Sequence, residues 1–200
     1  MKPGVFGKGE VLLAAGEVSQ VFRFIKTGLV VMRQQGPDGV DRPIGLVGRG
    51  FMTGQMGLHG LPSLIRFEAA GVVGVCEVEH PALRRLGSLD ERGANAVVAF
   101  NVKAMRALVD WSQVMRERSL HRRLAIALVL MARDQGTVRI QLPGQRLLAE
   151  LLAVTRESVG RALDDLCAWG LIGRVGRAVV EVDEAALADW FVTIKRNLSP

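Results

Sequence analysis

Six consecutive residues, Arg156-Glu157-Ser158-Val159-Gly160-Arg161, hold the chain's most telling chemistry. Wound as a helix, they put Arg156, Glu157, Gly160 and Arg161 on one face, at i, i+1, i+4 and i+5. Val159, Ala162, Leu163 and Leu166 fall on the opposite, apolar face. Arginine can donate two hydrogen bonds to guanine O6 and N7, and glutamate can accept one from cytosine N4. A carboxylate close to phosphates is repelled unless a donor answers it, so an acid between two arginines on a presented face reads as a base-contacting group. The competing role is local: Glu157 complements the helix dipole in the first turn and pairs with Arg161 at i+4. Gly160 costs about 1 kcal/mol against alanine inside a helix, which suits a place where backbone must approach a nucleic acid closely.

The elements needed to present that face are written around it. Gln145–Leu152 is a short helix burying Leu148, Leu151 and Leu152, with small Ala149 where two helices cross. A tight break at Ala153-Val154 precedes Thr155, which can cap a second helix running to about Trp169. This is helix-turn-helix patterning, in which the second helix enters the major groove with its N-terminal residues toward base edges. In LIGRVGRAVVEV two β runs flank Val175-Gly176, giving a hairpin wing with Arg174 and Arg177 at its tip. Those two arginines, with Gln145, Thr155 and Ser158, are the expected contacts to the DNA backbone. Upstream, Ser119 is expected to cap a helix from Leu120 to about Arg133, and Thr137–Leu142 reads as a short strand. Downstream, Asp183–Ile194 reads as an amphipathic helix with Leu187, Trp190, Phe191 and Ile194 inward.

The first 80 residues follow a different period. Strand candidates at Glu10–Leu13, Val21–Ile25, Leu29–Arg33, Ile44–Val47, Phe67–Ala70 and Val72–Val78 are separated by glycine turns and by Pro37-Asp38-Gly39. Short strands at that spacing predict an all-β sandwich or roll. From about Leu89 the period turns helical, with Ala94, Val97, Asn101, Ala104, Leu108, Trp111 and Met115 in a heptad stripe. A second stripe, Val98, Val102, Met105 and Val109, lies on the adjacent face. A helix apolar on two faces is covered twice: one face by its own β-domain, one by a second copy of the chain. Val97, Asn101, Ala104, Leu108, Trp111 and Met115 are the expected dimer contacts, Asn101 setting register; a helix sunk in a single monomeric core is the alternative.

Composition narrows the classes further. With 200 residues, 49% hydrophobic and 23% charged, the chain can bury a core without staples. Net charge is +6, carried as 10 basic and 7 acidic residues in 1–88, 4 of each in 89–117, and 12 and 9 in 118–200. That balance favours a polyanion partner without naming one. Cys76 and Cys167 make no framework. No apolar run is long enough to span a bilayer, and the N-terminus lacks the apolar core of a signal peptide, so a cytoplasmic location away from membranes is expected. His59, His80 and His121 are scattered, without metal-binding spacing, and Gly4–Gly9 lacks the ending of a phosphate loop. No enzyme activity, metal or cofactor is therefore expected.

The block TRESVGRALDDLCAWGLIGRVGR resembles the winged helix-turn-helix of the cAMP receptor protein/Fnr family of bacterial transcription regulators. The segments GEVLLAAGE, FIKTGLVVM, PDG and GLVGRGFMTGQMGL are similar to that family's β-roll in order and spacing, so the resemblance covers nearly the whole chain. It implies an α+β chain with a cyclic-nucleotide-binding-like β-roll over 1–88, a dimerisation helix over 89–117 and a winged helix-turn-helix over 118–200. It also implies that Arg156, Glu157 and Arg161 contact bases, that a homodimer reads TGTGA-like half-sites in a palindromic inverted repeat of double-stranded DNA, and that RNA polymerase is a partner.

The effector pocket departs from the family. Gly54-Gln55 stands where cyclic-nucleotide binders carry a glutamate for the ribose. Pro62-Ser63-Leu64 stands where they carry an arginine-serine pair for the phosphate, and Leu108 and Val109 where hydroxyl residues hold the base. Arg66 lies nearby but late, in a strand where it is expected to face solvent. Cyclic AMP is thus not the expected signal, and the pocket, Gly54, Gln55, Ser63, Leu64 and Arg66, reads as degenerate. Two alternatives stand beside this: the same DNA-binding scaffold gated by an unidentified small ligand, a cyclic nucleotide or a gas bound through haem at His59, and a ligand-binding β-roll of another class.

Overall fold

The computed structural model of the chain describes residues 1–85, 91–176 and 178–197. They form two compact units, Met1–Trp111 and Ser112–Pro200.

The first unit is a β-roll of two antiparallel four-stranded sheets. Its strands are β1 (Lys2–Phe6), β2 (Val11–Leu13), β3 (Val21–Thr27), β4 (Val30–Gln35), β5 (Asp41–Val47), β6 (Met52–Thr53), β7 (Arg66–Ala69) and β8 (Val73–Glu79). One sheet runs β1-β8-β3-β6, the other β2-β7-β4-β5. Alternation decides what faces the shared core: Phe67 and Ala69 of β7 enter it beside Leu13, Ile25, Met32 and Val75, so Arg66 and Glu68 take the other face. Two strands escaped the sequence reading. β1 opens with Pro3-Gly4, residues that normally interrupt strands, and is tolerated because it pairs only with β8, at the sheet's edge. β6 is only two residues long, and it forms the opposite edge of that sheet.

Two helices follow, α1 (His80–Arg85) and α2 (Glu91–Arg116). The inward side of α2 is set by Phe100, Ala104, Ala107 and Trp111. Phe100 meets Phe24 edge-on at 5.5 Å, and Ala104 and Ala107 join the roll's core. Trp111 is 2% exposed, and its indole N–H donates to the Leu46 carbonyl at 2.9 Å. Gly45 makes room for that ring, since a Cβ there would sit 2.7 Å from Trp111 Cδ1.

This corrects the expected seam. Ala104 and Trp111 pack on the chain's own roll and are not available to a partner, while Val97 is half-buried and Asn101 exposed. The large apolar side chains left open are Val98, Val102, Met105 and Val109, with Leu108 and Met115 beside them; Met105 is 68% exposed. The 3.5-residue template drifts across a 3.6-residue helix, and Phe100, left out of the template, fixes the phase.

The second unit contains α3 (Leu120–Gln135), β9 (Arg139–Gln141), α4 (Gln145–Leu152), α5 (Arg156–Ala168), β10 (Ile172–Arg174), β11 (Val179–Val182) and α6 (Glu184–Asn197). α3 is apolar on most of its circumference and sits centrally, with Leu124, Ala125, Ala127, Leu128 and Met131 fully buried. The strands form an antiparallel sheet in the order β10-β11-β9. Ser119 has the extended backbone of a cap but makes no capping side-chain bond, contrary to expectation. On α6, Leu187 is buried and Trp190 and Phe191 half-buried, Trp190 lying 5.8 Å from Trp169; the Ile194 side chain lies outside the described residues.

Candidate nucleic-acid interface

α4 and α5 are joined through Ala153, which adopts the left-handed conformation at φ 52°, ψ 50° and so turns the chain within one residue. The next amide, of Val154, donates to the Ala149 carbonyl at 3.0 Å. Thr155 then caps α5: its Oγ1 accepts from the Ser158 amide at 3.2 Å, and the two hydroxyls lie 3.0 Å apart. Leu148, Leu151 and Leu152 of α4 and Val159, Ala162, Leu163 and Leu166 of α5 are buried together, as their spacing predicts. That burial holds Arg156, Glu157 and Arg161 on the exposed side. Between them a Cβ added to Gly160 would meet nothing within 4 Å, so the middle of the presented face is open down to backbone.

Arg156 also ties the two helices: its Nε donates to Gln145 Oε1, 3.3 Å away at the start of α4. The Glu157 carboxyl is held below its ordinary range, first by its own backbone amide, then by the Thr155 hydroxyl, with the Arg156 and Arg161 charges adding less. The expected local role therefore operates through the first-turn amide and Thr155 far more than through a pair with Arg161, and it leaves the carboxylate ionised and exposed.

The wing is tied to α5. Arg174 Nη2 donates to Asp164 Oδ1 at 2.6 Å. Gln145, Arg146, Arg156, Arg174 and Val179 line a concavity of about 540 Å³ between the start of α4, α5 and the wing. Arg146, Arg174 and the Gln145 amide around one hollow suit a phosphate backbone, with Arg156 on the side toward the presented face of α5. The sequence reading missed Arg146, which no contact pattern announces; it is an exposed residue one position after Gln145 that reaches the same hollow. Arg177, the second expected wing contact, lies outside the described residues.

In the roll, Gly54, Gln55, Ser63 and Leu64 do come together, around a cavity of about 130 Å³. Gly54 stands at φ 92°, where a Cβ would strike the Val21 carbonyl oxygen. Arg66 is not among the residues lining the cavity: it bonds Glu68 at 3.0 Å, and Glu68 also receives Arg33 at 3.7 Å. His59 is exposed at the end of a short 3-10 helix, Gln55–His59. Among the described residues, no group of three or more His, Cys, Asp or Glu could hold a metal ion, and no helix is long and apolar enough to cross a membrane.

Comparison with known proteins gives consistent matches. The Crp-like helix-turn-helix domain matches residues 122–190. The chain is 26% identical over 189 residues to the cyclic AMP receptor protein of Thermus thermophilus, spanning 92% of this chain and 85% of that one. In fold it is similar to FixK2 from Bradyrhizobium japonicum, with a TM-score of 0.77 at 22% identity over 94% of this chain and 96% of that one. It is likewise similar to a CRP-family transcriptional regulator from Thermus thermophilus, with a TM-score of 0.71 at 26% identity over 94% and 95%.

Proposed function

We propose that this chain, which matches the Crp-like helix-turn-helix domain over residues 122–190 and is similar to CRP-family transcription regulators, is a transcription regulator of the Crp-Fnr type that binds double-stranded DNA as a homodimer, one α5 per half-site, on an inverted repeat of TGTGA-like sequences. The observation that carries this is the outer face of α5, where Arg156, Glu157 and Arg161 stand exposed around the open backbone of Gly160. Two arginines supply guanine readers and one carboxylate a cytosine reader, matching a G·C-containing half-site. Gln145, Thr155, Ser158 and Arg174, with Arg146 added to them, are the backbone contacts of this reading. Pairing through Val98, Val102, Met105 and Val109 supports the dimer, since an exposed apolar stripe is covered most economically by its own copy. RNA polymerase is the partner through which such a bound dimer acts.

The Thermus thermophilus relative is a receptor for cyclic AMP by name. The cavity of this chain does not offer what that ligand needs. A cyclic phosphate leaving water needs a cation, and Arg66, the nearest candidate, is engaged with Glu68 outside the cavity lining. Selection of bound sequences from random double-stranded DNA, with no nucleotide added, tests the whole reading. Enrichment of a two-fold-symmetric site with TGTGA-like halves is expected. Enrichment that requires cyclic AMP overturns the ligand-free part, and no enrichment under either condition overturns the DNA-binding part.

A further inference from the structure

We propose that the cavity of the β-roll binds a small uncharged apolar molecule, about the size of one aromatic ring. This extends the regulator reading by giving the roll a ligand class, but binding itself does not depend on DNA, and its test uses none.

The walls come from both sheets and from α2: Leu13, Met32, Phe51, Phe67, Ala104 and Leu108. At about 130 Å³ the cavity is close to the roughly 150 Å³ apolar void that takes up benzene in an engineered protein. Apolar wall atoms that face water here gain dispersion contacts and shed apolar surface from water when an occupant of matching shape displaces it. Leu64 borders the same space yet is 69% exposed, so an apolar occupant would gain contact with a side chain that water now surrounds.

Each polar side chain on the lining already has one engagement. Ser63 Oγ donates to the Ile65 carbonyl at 2.7 Å, and Ser19 Oγ donates to the Val21 carbonyl at 2.8 Å, so each hydroxyl hydrogen is spent on a neighbouring turn. Gln55 Nε2 donates to Asn101 Oδ1 on α2 at 3.4 Å. Glu17 Oε2 accepts from the Ala14 amide at 3.0 Å. Among the described residues no lysine, arginine or histidine lines the space, and its one charge is the Glu17 carboxylate, which repels anions. What mainly holds a ligand is then shape and apolar surface, with the Gln55 amide oxygen and the second Glu17 oxygen the polar atoms left on the wall, which disfavours anions and ligands that need several new hydrogen bonds.

The test uses the whole chain and four probes: toluene, benzoate, benzylamine and cyclic AMP. With methyl-labelled methionine, toluene is expected to shift the methyl signals of Met32 and Met56, both on the lining, and to leave those of Met1 and Met131 in place. It is also expected to raise the unfolding temperature with the logarithm of its concentration, as any ligand selective for the native state does. Ala104→Phe, which places a ring into the space from α2, should abolish the toluene response. Should that variant not fold, the methyl shifts of the parent chain decide alone. No shift at Met32 and Met56 overturns the proposal. So does an equal or larger response to benzoate, benzylamine or cyclic AMP, since each carries a charge the proposal excludes.

Discussion

The guanidinium of Arg156, at the first turn of one helix, reaches back 3.3 Å to the side-chain oxygen of Gln145, at the start of the helix before it. The bond uses Nε and leaves the two terminal nitrogens outward, the pair that can bracket guanine O6 and N7. Arg156→Ala and Glu157→Ala should each lose about 1–3 kcal/mol of discrimination at one base pair per half-site. Binding isotherms on single-base variants of the selected site read this directly. A Glu157→Ala protein with unchanged base preference would leave the carboxylate with its capping role alone.

The same carboxylate carries a pH consequence. Its folded pKa lies below its ordinary value, because its own amide and the Thr155 hydroxyl favour the ionised form. Its contribution to stability is therefore present above the unfolded carboxylate pKa, about 4.3, and is lost as pH falls through the lower folded value. Unfolding of the parent and of Glu157→Gln should differ by a constant amount above about pH 5 and converge in stronger acid. Base preference should stay constant down to about pH 5, and a preference that fades earlier would contradict an ionised reader.

Gly160 offers a substitution whose two effects have opposite signs. Nothing stands within 4 Å of where its Cβ would lie, so Gly160→Ala meets no clash in the free protein and should stabilise α5 by about 0.5–1 kcal/mol. The added methyl occupies the open centre of the presented face and should weaken specific binding. Thermal unfolding and operator affinity measured on one preparation check both signs, and a rise in both would show that the backbone at Gly160 stays clear of the DNA.

Asp164 holds Arg174 at 2.6 Å on the outer side of α5, an anion beside the proposed phosphate contacts. Asp164→Asn should release Arg174, tighten binding to all sequences alike and steepen the salt dependence. Arg174→Ala should weaken all sequences alike and reduce the salt slope by about one unit per lost phosphate contact. Salt titrations of nonspecific and specific DNA separate these from base-reading effects.

α2 gives two variants that should fail differently. Met105→Glu puts a charge on the exposed stripe: the chain should keep its unfolding temperature at the level of a folded monomer, and sedimentation should show loss of dimer and of most DNA affinity. Trp111→Ala removes a buried ring and its bond to Leu46, and should cost about 3–5 kcal/mol of roll stability. A parent chain already monomeric at micromolar concentration would set aside the stripe's proposed partner.

The DNA-reading half was legible because each of its parts leaves a local mark. Gln145–Leu152 was read with the bounds the helix has, and the buried set Val159, Ala162, Leu163 and Leu166 followed from a 3.6-residue period started by a capping threonine. The roll was legible as a class but not at its edges, since Pro3 and Gly4 hide β1 from any propensity argument. The phase of α2 escapes the pattern because two apolar stripes overlap there, and contacts with distant residues, Phe24 against Phe100 and the Leu46 carbonyl and Gly45 against Trp111, show which side the roll takes. Links between separate elements, such as Arg174 with Asp164, leave no periodic trace in a sequence, and neither does the pairing of Arg66 with Glu68. They decide which arginines are spoken for, and geometry alone reveals them.

The proline at the second position of β1 has a consequence beyond strand assignment. A roll with open sheets presents unpaired backbone at its margins, and such a margin can template the strand of another molecule. β1 is one of those margins, and Pro3 removes an amide from its five-residue row. Lys2, charged and exposed beside it, adds a cost to close stacking. The residues that make this strand hard to recognise are thus the ones that blunt this margin as a template for a further strand.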